Sequence, residues 1–551
     1  MSSLKRIKPY KAIPPHVTVD RIRMIIENLG LGWKEEQVSN QSMVSACVLK
    51  LINPKNNHVI FQSFGKGKSH DWARASAWGE MIERIQNMAF YMILIYPTQP
   101  EIDSAEPKKF RYFPDEKTFI LGNESNSDFF NYFSRLAGDD ITGENTGKEM
   151  IGVPFLNLFE NKPDYLPFRM VQGVVGSNGM CSGNTREEAL NQGLCEIFER
   201  YVLKEFYLNP FCPPDISVEW FKDTDIYNHM MSLKLDLDYN ITIKDCSMNK
   251  GYPVLGVLIR NNTGHYAFHL GADPSPITAL ERCFTEMFQG GAIHFLPLQE
   301  LEANGPCDLD TLFWKRHFSL TISAYSGHWP DKLLSDKPDY EFTGFNHPVS
   351  VSDHEDLQYL LKIIKNGDKQ IFIRDNSFLG HPAYYIYIPG MSEITSLPDK
   401  SFLSAFLRFD HVLPVLWNMA DSTVNKRAAL LDALDIYIGK SPHKEFRIND
   451  YFRFFNSHPL TRISITELMA LLDVSLLNET FGDYFGPDEC EKDSLLSVID
   501  QQNRNFKLHD LFKVMNGLPR CFHCETCQVS GACNYSFVMD IWEKMKRIMV
   551  G

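Results

Sequence analysis

The stretch Ser177-Asn178-Gly179-Met180-Cys181-Ser182-Gly183-Asn184-Thr185-Arg186-Glu187-Glu188-Ala189 decides the fold. Small and polar residues give way to a helical pattern that runs from Thr185 to about Phe206. Thr185 stands where an N-cap is wanted, and Glu188 three residues on fits a capping box. Glu188, Gln192, Glu196 and Glu199 then follow at spacings of four, four and three, with Arg200 next. Those spacings place them on one helix face. The apolar run Arg169–Val175 ahead of the loop reads as a strand. The unit is therefore strand, polar loop, helix.

Two further stretches repeat that order. Upstream, Ala46–Lys50 and His58–Phe64 read as strands, Gly65-Lys66-Gly67-Lys68 as a loop, and His70 to Ala89 as a helix. That helix carries Ser76, Glu80, Glu83 and Arg84. Downstream, Val254–Arg260 and His265–Leu270 flank an Asn-Asn-Thr-Gly turn and read as a hairpin. Gly271-Ala272-Asp273 then leads into a helix from Ile277 to Gln289 bearing Glu281, Arg282 and Glu286. Gly79-Glu80-Met81-Ile82-Glu83-Arg84 and Cys195-Glu196-Ile197-Phe198-Glu199-Arg200 share a pattern, which suggests internal symmetry. The fold class is α/β.

The rest of the chain divides by texture. Val19–Leu29 has helical apolar spacing. Residues 101–165, rich in Asp, Asn, Gly and Pro, read as an irregular insertion, and 300–350 as loop-rich. Leu357–Ile364 reads as a helix end, and Gln370–Arg374 and Ala383–Ile388 as strands. Helical segments are expected at 401–418, 425–438, 451–457, 465–478, 493–501 and 507–516. The expected domains are thus 1–400 and a mainly helical 401–551.

At 551 residues with 44% apolar composition, the chain has enough material for a large core, which excludes a wholly disordered or collagen-like protein. A net charge of -14 argues against direct nucleic-acid or anionic-membrane binding. No apolar segment follows the charged start, and the longest clean apolar run, Met88–Tyr96, is too short for a membrane span. A cytoplasmic protein is expected.

Converging carboxylates repel one another unless a cation neutralises them. Mg2+ takes oxygen ligands and commonly binds carboxylates together with phosphates. Arg84, Arg200 and Arg282 offer bidentate contacts to phosphate. Lys66 with its neighbouring glycines, and Ser177, Asn178 and Asn184 ahead of a helix, are candidates to face an anion. Solvated helix faces with intrahelical ion pairs are the plain alternative.

With these motifs the chain resembles the YcaO family. The likeness rests on Ser76…Glu80…Glu83-Arg84, on Ser177-Asn178-Gly179-Met180 with Gly183-Asn184-Thr185-Arg186-Glu187-Glu188-Ala189, on Glu196…Glu199-Arg200, and on Ala279-Leu280-Glu281-Arg282…Glu286…Gln289. Lys11, Thr18 and Pro389-Gly390-Met391-Ser392 add to it. The resemblance spans roughly residues 1–400. It implies a YcaO-type mixed α/β ATP-binding fold, in which ATP and Mg2+ serve to activate a backbone amide by phosphorylation. It implies Glu80, Glu83, Glu196, Glu199 and Glu286 as Mg2+ ligands. Lys11, Thr18, Lys66, Ser76, Arg84, Ser177, Asn184, Glu188, Arg200, Arg282 and Gln289 become ATP contacts. The likeness is greatest to stand-alone members linked to ribosomal-protein β-methylthiolation. The implied partners are a peptide or ribosomal-protein substrate, a modifying enzyme and a second copy of the chain. The end of the chain, Lys-Arg-Ile-Met-Val-Gly, lacks the Pro-x-Pro-x-Pro tail of many azoline-forming members, which disfavours azoline formation. A scaffold that keeps the fold without catalysis is the alternative from another class.

Twelve cysteines split into eight scattered thiols, expected in the core, and a cluster, Cys521, Cys524, Cys527 and Cys533. That density reads as a site for Zn2+ or a [4Fe–4S] cluster. A further alternative makes this cluster the active part of the protein.

Overall fold

A computed structural model describes residues 4–38, 44–88, 113–120, 149–288, 293–309, 311–394, 423–440, 468, 469, 472 and 534–551. The chain forms two units. One comprises 1–52, 59–87 and 151–397, the other 53–58, 88–150 and 398–551.

The first unit opens with β1 (Lys5–Arg6) and α1 (Pro15–Leu29), with Pro15 in the first turn and Gly30 closing the helix at φ 85°. Strands β2 (Gly32–Val38), β3 (Ser45–Ile52) and β4 (Val59–Gly67) form an antiparallel sheet in that order, followed by α2 (His70–Gln86). Strand β5 (Lys117–Ile120) belongs to the second unit. Next come β6 (Glu149–Asn157), β7 (Lys162–Pro167), α3 (Phe168–Val175), β8 (Met180–Ser182) and α4 (Arg186–Leu208). Then follow β9 (Asp215–Ile216), α5 (Asp225–Leu237), β10 (Asn240–Asp245), β11 (Val254–Arg260), β12 (His265–Ala272) and α6 (Pro276–Met287). The remainder is β13 (Leu296–Pro297), α7 (Leu298–Asn304), α8 (Leu312–Ala324), β14 (Val349–Ser350), α9 (Asp353–Asn366), β15 (Phe372–Asp375) and β16 (Ala383–Tyr387). A second sheet runs β13-β12-β11-β10-β9, and a third β6-β15-β16-β8 with β7 beside β6.

The internal symmetry is threefold, and its register can be stated residue by residue. Ser69, Thr185 and Ser275 are the N-caps of α2, α4 and α6. Four residues before each cap, a strand presents Gly65, Cys181 or Gly271; four after, a helix presents Ala73, Ala189 or Ala279. One turn further come Ala77, Gly193 and Cys283. Strand and helix backbones touch there. A Cβ on Gly65 would strike the Ala73 carbonyl and the Ala77 nitrogen, and one on Gly271 would lie 2.7 Å from the Cys283 nitrogen. In the middle unit the glycine has moved to the helix: a Cβ on Gly193 would lie 2.8 Å from the Cys181 Sγ. Each helix also packs on the next strand: α2 on β8, α4 on β12 and α6 back on β4. The three units therefore close into a ring. Helix α4 is buried on nearly every side, with Ile197, Phe198, Val202, Leu203 and Phe206 in the main core.

Several expectations need correction. Phe168–Val175 is a helix, not a strand; Phe168, Val171, Val174 and Val175 are buried, and a short apolar run gives no period that separates the two. The strand of the middle unit is Met180–Ser182, inside what reads as loop. Gly65-Lys66-Gly67 finishes β4 and leans on α2 instead of forming a loop. The stretch 101–165 contains β5, β6 and the start of β7. The 300–350 stretch holds α8, capped by the Thr311 hydroxyl, which accepts from Trp314 N–H.

In the second unit, α10 (Val424–Lys440) contains the expected 425–438 segment, and α11 (Tyr535–Val550) was not expected. Asn53 donates to Asn534 Oδ1 at 3.0 Å just ahead of α11. Residues 468, 469 and 472 are helical. The expected helices at 401–418, 451–457, 493–501 and 507–516 lie outside the described residues, as do Cys521, Cys524, Cys527 and Cys533. Seven of the scattered cysteines are described, and six of these are buried. Among the described residues no helix is long and apolar enough to cross a membrane.

The close approaches predict opposite outcomes for two glycines. Gly65→Ala must push β4 off α2 and should destabilise by about 3 kcal/mol. Gly79→Ala, whose Cβ meets nothing nearer than the Ser182 Oγ at 3.8 Å, should stabilise by about 0.5–1 kcal/mol by removing a mid-helix glycine. Thermal melts of the two variants check both signs.

Candidate functional site

The ring brings the beginnings of its three helices under one strap of chain, residues 5–12. Arg6 Nη1 reaches Glu281 Oε2 at 3.2 Å and Thr278 Oγ1 at 3.0 Å on α6. Lys8 pairs with Asp353 at 2.7 Å and with Asp356 on α9. Tyr10 meets Trp72 of α2 edge-on, ring centroids 5.2 Å apart. Lys11 Nζ lies 3.4 Å from Glu188 Oε1, and the Ala12 N–H donates to Glu188 Oε2 at 2.9 Å.

Glu188 thus has both oxygens engaged. Its Oε1 also accepts from the Asn184 side chain at 3.0 Å, while Asn184 Oδ1 accepts from the Thr18 hydroxyl at 2.8 Å. The Thr185 hydroxyl accepts from Glu188 N–H at 3.1 Å, as the capping pattern anticipates. Burial raises the Glu188 carboxyl pKa, but Lys11 and the two backbone donors outweigh it and hold the pKa below the usual range. Lys11, Thr18, Asn184 and Glu188 form one connected group.

The second group lies further along the helices, where Glu80 and Glu83 of α2, Glu196 and Glu199 of α4, and Glu286 of α6 feel one another. Burial pushes Glu83 well above the carboxylate range; Arg84 opposes the shift, while Glu196 and Glu80 add to it. Burial likewise raises Glu196, opposed by Arg200 and Arg84 and reinforced by Glu80 and Glu286. Glu199 is pushed up to about 7 by burial and by the Glu286 charge. Glu286 goes the other way: burial would raise it, but the paired Lys66 ammonium outweighs that and pulls it down.

The cations are distributed unevenly over these acids. Arg84 lies 3.0 Å from Glu83 and 3.4 Å from Glu80. Arg200 donates to the Ile322 carbonyl at 2.5 Å, and Glu199 instead accepts from the Tyr325 hydroxyl at 2.6 Å. Arg282 donates to Gln192 Oε1 at 2.6 Å and lies 3.4 Å from Asp273, while its buried Nε has no hydrogen-bond partner. Lys68, beside Lys66, pairs with Glu281. Among the described residues no three His, Cys, Asp or Glu side chains converge closely enough to hold a metal ion as they stand.

The remaining expected positions fall as follows. Ser76 is exposed on α2 and Ser177 half-buried ahead of β8. Asn178 is buried and donates to the Ser392 carbonyl at 2.7 Å, which ties the 176–184 loop to the Pro389-Gly390-Met391-Ser392 segment. Gln289 lies outside the described residues. Sequence reasoning missed Tyr325 and His269, which stack at 4.7 Å beside Glu199. The signal for His269 was in reach: the matching positions in the other units are Ser63 and Gly179, so it alone carries an ionisable group.

The raised Glu199 pKa has a stability consequence. The folded chain binds this proton more tightly than the unfolded chain, so Glu199 lowers stability progressively as pH rises from about 4.5 to about 7. Glu199→Gln should melt close to wild type near pH 4.5 and gain on the order of 2 kcal/mol over it by pH 8. Paired melts across that range check the crossover.

Residues 64–392, more than half of the chain, match the family model described as YcaO cyclodehydratase, ATP- and Mg2+-binding. A Haemophilus influenzae protein is 28% identical over 426 residues, which cover 74% of this chain and 70% of that protein. The ribosomal protein S12 methylthiotransferase accessory factor YcaO of Escherichia coli is 29% identical over 386 residues, 67% of this chain and 64% of that one. Among solved structures, a heterocyclase in complex with substrate and cofactor aligns at TM-score 0.48 and 17% identity, covering 71% of this chain and 54% of that chain. YcaO from Methanopyrus kandleri, bound with AMPPCP and Mg2+, aligns at TM-score 0.42 and 16% identity, covering 70% and 93%. The matched segment contains all three cap-and-carboxylate helices that close the ring, and the chain belongs to the YcaO family.

Proposed function

We propose that this chain binds ATP with Mg2+ among α2, α4 and α6 and serves the activation of a backbone amide in a peptide or ribosomal-protein substrate. It does so either as the enzyme itself or as accessory to a methylthiolation enzyme. One observation carries the reading: five glutamates from three symmetry-related helices share one buried neighbourhood, and burial with mutual repulsion raises Glu83, Glu196 and Glu199. A folded chain keeps such repulsion where it is put to use. The donor set is oxygen-only, which suits Mg2+, and the buried Nε of Arg282, without a hydrogen-bond partner among the described residues, suits an anion. The residue types present fit the pair, and the carboxylates would have to draw closer to hold the cation.

In this reading Glu80, Glu83, Glu196, Glu199 and Glu286 hold the cation. Arg84, Arg200, Arg282, Lys66, Ser76, Ser177 and Gln289 face the nucleotide. Lys11 and Thr18 close the site from the strap, with Glu188 and Asn184 fixing their positions. Bound Mg2+ supplies the positive charge that the acids lack and screens the phosphates. Lys66 and Arg84 already neutralise Glu286 and Glu83 and must exchange these partners when it binds. An amide oxygen is a poor nucleophile, so activation requires that the site hold it in line with the transferred phosphorus and neutralise the developing charge. The accessory role draws support from the printed name of the Escherichia coli relative. The chain acts in the cytoplasm as a homodimer.

Calorimetry with a non-hydrolysable ATP analogue should give binding that Mg2+ strengthens by at least about tenfold. Glu83→Gln and Glu199→Gln should each weaken it at least about tenfold. Absence of any Mg2+-dependent binding in the wild-type protein would reject the reading, and full function in both variants would favour a scaffold. For Cys521, Cys524, Cys527 and Cys533 the proposed ligand is Zn2+ or a [4Fe–4S] cluster. Stoichiometric zinc, or iron with visible absorption, separates the two, and neither metal in the purified protein would reject both.

A further inference from the structure

The same dipeptide is used in two ways within the ring. Glu83-Arg84 and Glu199-Arg200 occupy matching positions of α2 and α4. On α2 the arginine turns onto its own glutamate, 3.0 Å away. On α4 the arginine is drawn off to the Ile322 carbonyl of α8, and its guanidinium lies over the Tyr325 ring at 5.7 Å. The contact on Glu199 passes to the Tyr325 hydroxyl, a neutral donor. Glu199 is thereby fixed in place with no cation in contact with it.

Tyr325 is itself held with some effort. It caps α8 in the left-handed region, at φ 51° and ψ 26°, where an aromatic residue is strained. One ring face lies parallel to His269, centroids 4.7 Å apart and planes at 12°. His269 is buried, and its Nδ1 has no hydrogen-bond partner. A structural histidine in a strand interior normally has such an atom satisfied. Here the ring serves as a flat support under the tyrosine. The equivalent residue on β4, Ser63, binds the Ala77 carbonyl at 2.8 Å, and Gly179 ahead of β8 has no side chain. Only the third unit supplies a support, and it serves the glutamate of the second.

We propose that Tyr325, seated on His269, is a positioning residue that pins Glu199 Oε1 through a neutral hydrogen bond, so that Glu199, which makes no ion pair among the described residues, offers its other oxygen to the divalent cation. This rests on the Mg2+–ATP reading above and deepens it. The ring would then contain two kinds of acid: Glu83 and Glu286, covered by their own cations until a ligand arrives, and Glu199, kept open. Glu196 also makes no ion pair among the described residues, and what sets Glu199 apart from it is the orientation that Tyr325 imposes.

The test reads metal capture apart from nucleotide binding. In the wild-type protein, the Mg2+ concentration giving half-maximal binding of the ATP analogue is compared with the analogue's affinity in excess EDTA. Tyr325→Phe keeps the ring and removes the hydroxyl. It should raise the required Mg2+ about fivefold and leave metal-free affinity unchanged. His269→Phe should behave as wild type, since it preserves the flat support, while His269→Ala should behave as Tyr325→Phe. In a Glu199→Gln background Tyr325→Phe should add nothing, because the two act as one device. The inference is overturned if Tyr325→Phe leaves the Mg2+ requirement within twofold of wild type, if it lowers metal-free affinity equally, or if its effect persists in Glu199→Gln. A wild-type protein that binds the analogue equally tightly with and without Mg2+ overturns the Mg2+ reading and this inference together.

Discussion

The contact of strand backbone with helix backbone, made three times, is the constraint on which the rest of the molecule depends. It requires one residue without a side chain at each crossing, supplied by Gly65, Gly193 and Gly271. The middle unit meets the requirement from the helix side, with Cys181 filling the space on the strand. Because strand and helix cannot separate, the first turns of α2, α4 and α6 are fixed in register, and the glutamates further along inherit that register. The geometry of the acids follows from a steric contact that involves no charge: caps fix the starts, glycines fix the depth, and the 3.6-residue period does the rest.

Placed together, the acids differ because their neighbours differ. Lys66 lowers Glu286, whereas Glu199 lacks such a contact and rises. Lys66 reaches Glu286 only because α6 packs back on β4. Ring closure therefore sets protonation as well as position. A chain in which α6 packed only on its own sheet would carry the same residues with a different charge distribution.

The helices bearing the acids were legible because each has a cap, a long amphipathic pattern and a polar approach. The β11–β12 hairpin was legible from its turn. The family resemblance rested on the same residues, and the match over 64–392 falls on them. What escaped was fixed by tertiary packing. Phe168–Val175 is only two turns long and rich in β-branched valine, so its pattern does not separate helix from strand. Helix α8 begins at an ordinary threonine cap within a stretch of mixed polarity. Tyr325 acts on a residue 126 positions away, a separation that no local pattern reports. Gly65-Lys66-Gly67-Lys68 reads as a loop because glycine and lysine are rare in strands, yet the glycines are there for the close approach to α2, and the lysines pair with glutamates of α6.

The strap of residues 5–12 has a temporal meaning as well. Its partners Glu281, Asp353 and Asp356 lie hundreds of residues downstream, and β1 finds its only strand partner among the described residues in β14. During synthesis Lys8 leaves the ribosome long before its partners Asp353 and Asp356 and must wait until α9 has emerged. Contacts of such span carry a large entropic charge before they return anything and slow the final step of folding. A nascent chain halted between residues 287 and 353 would hold the three helices and lack the anchor of the strap at Lys8.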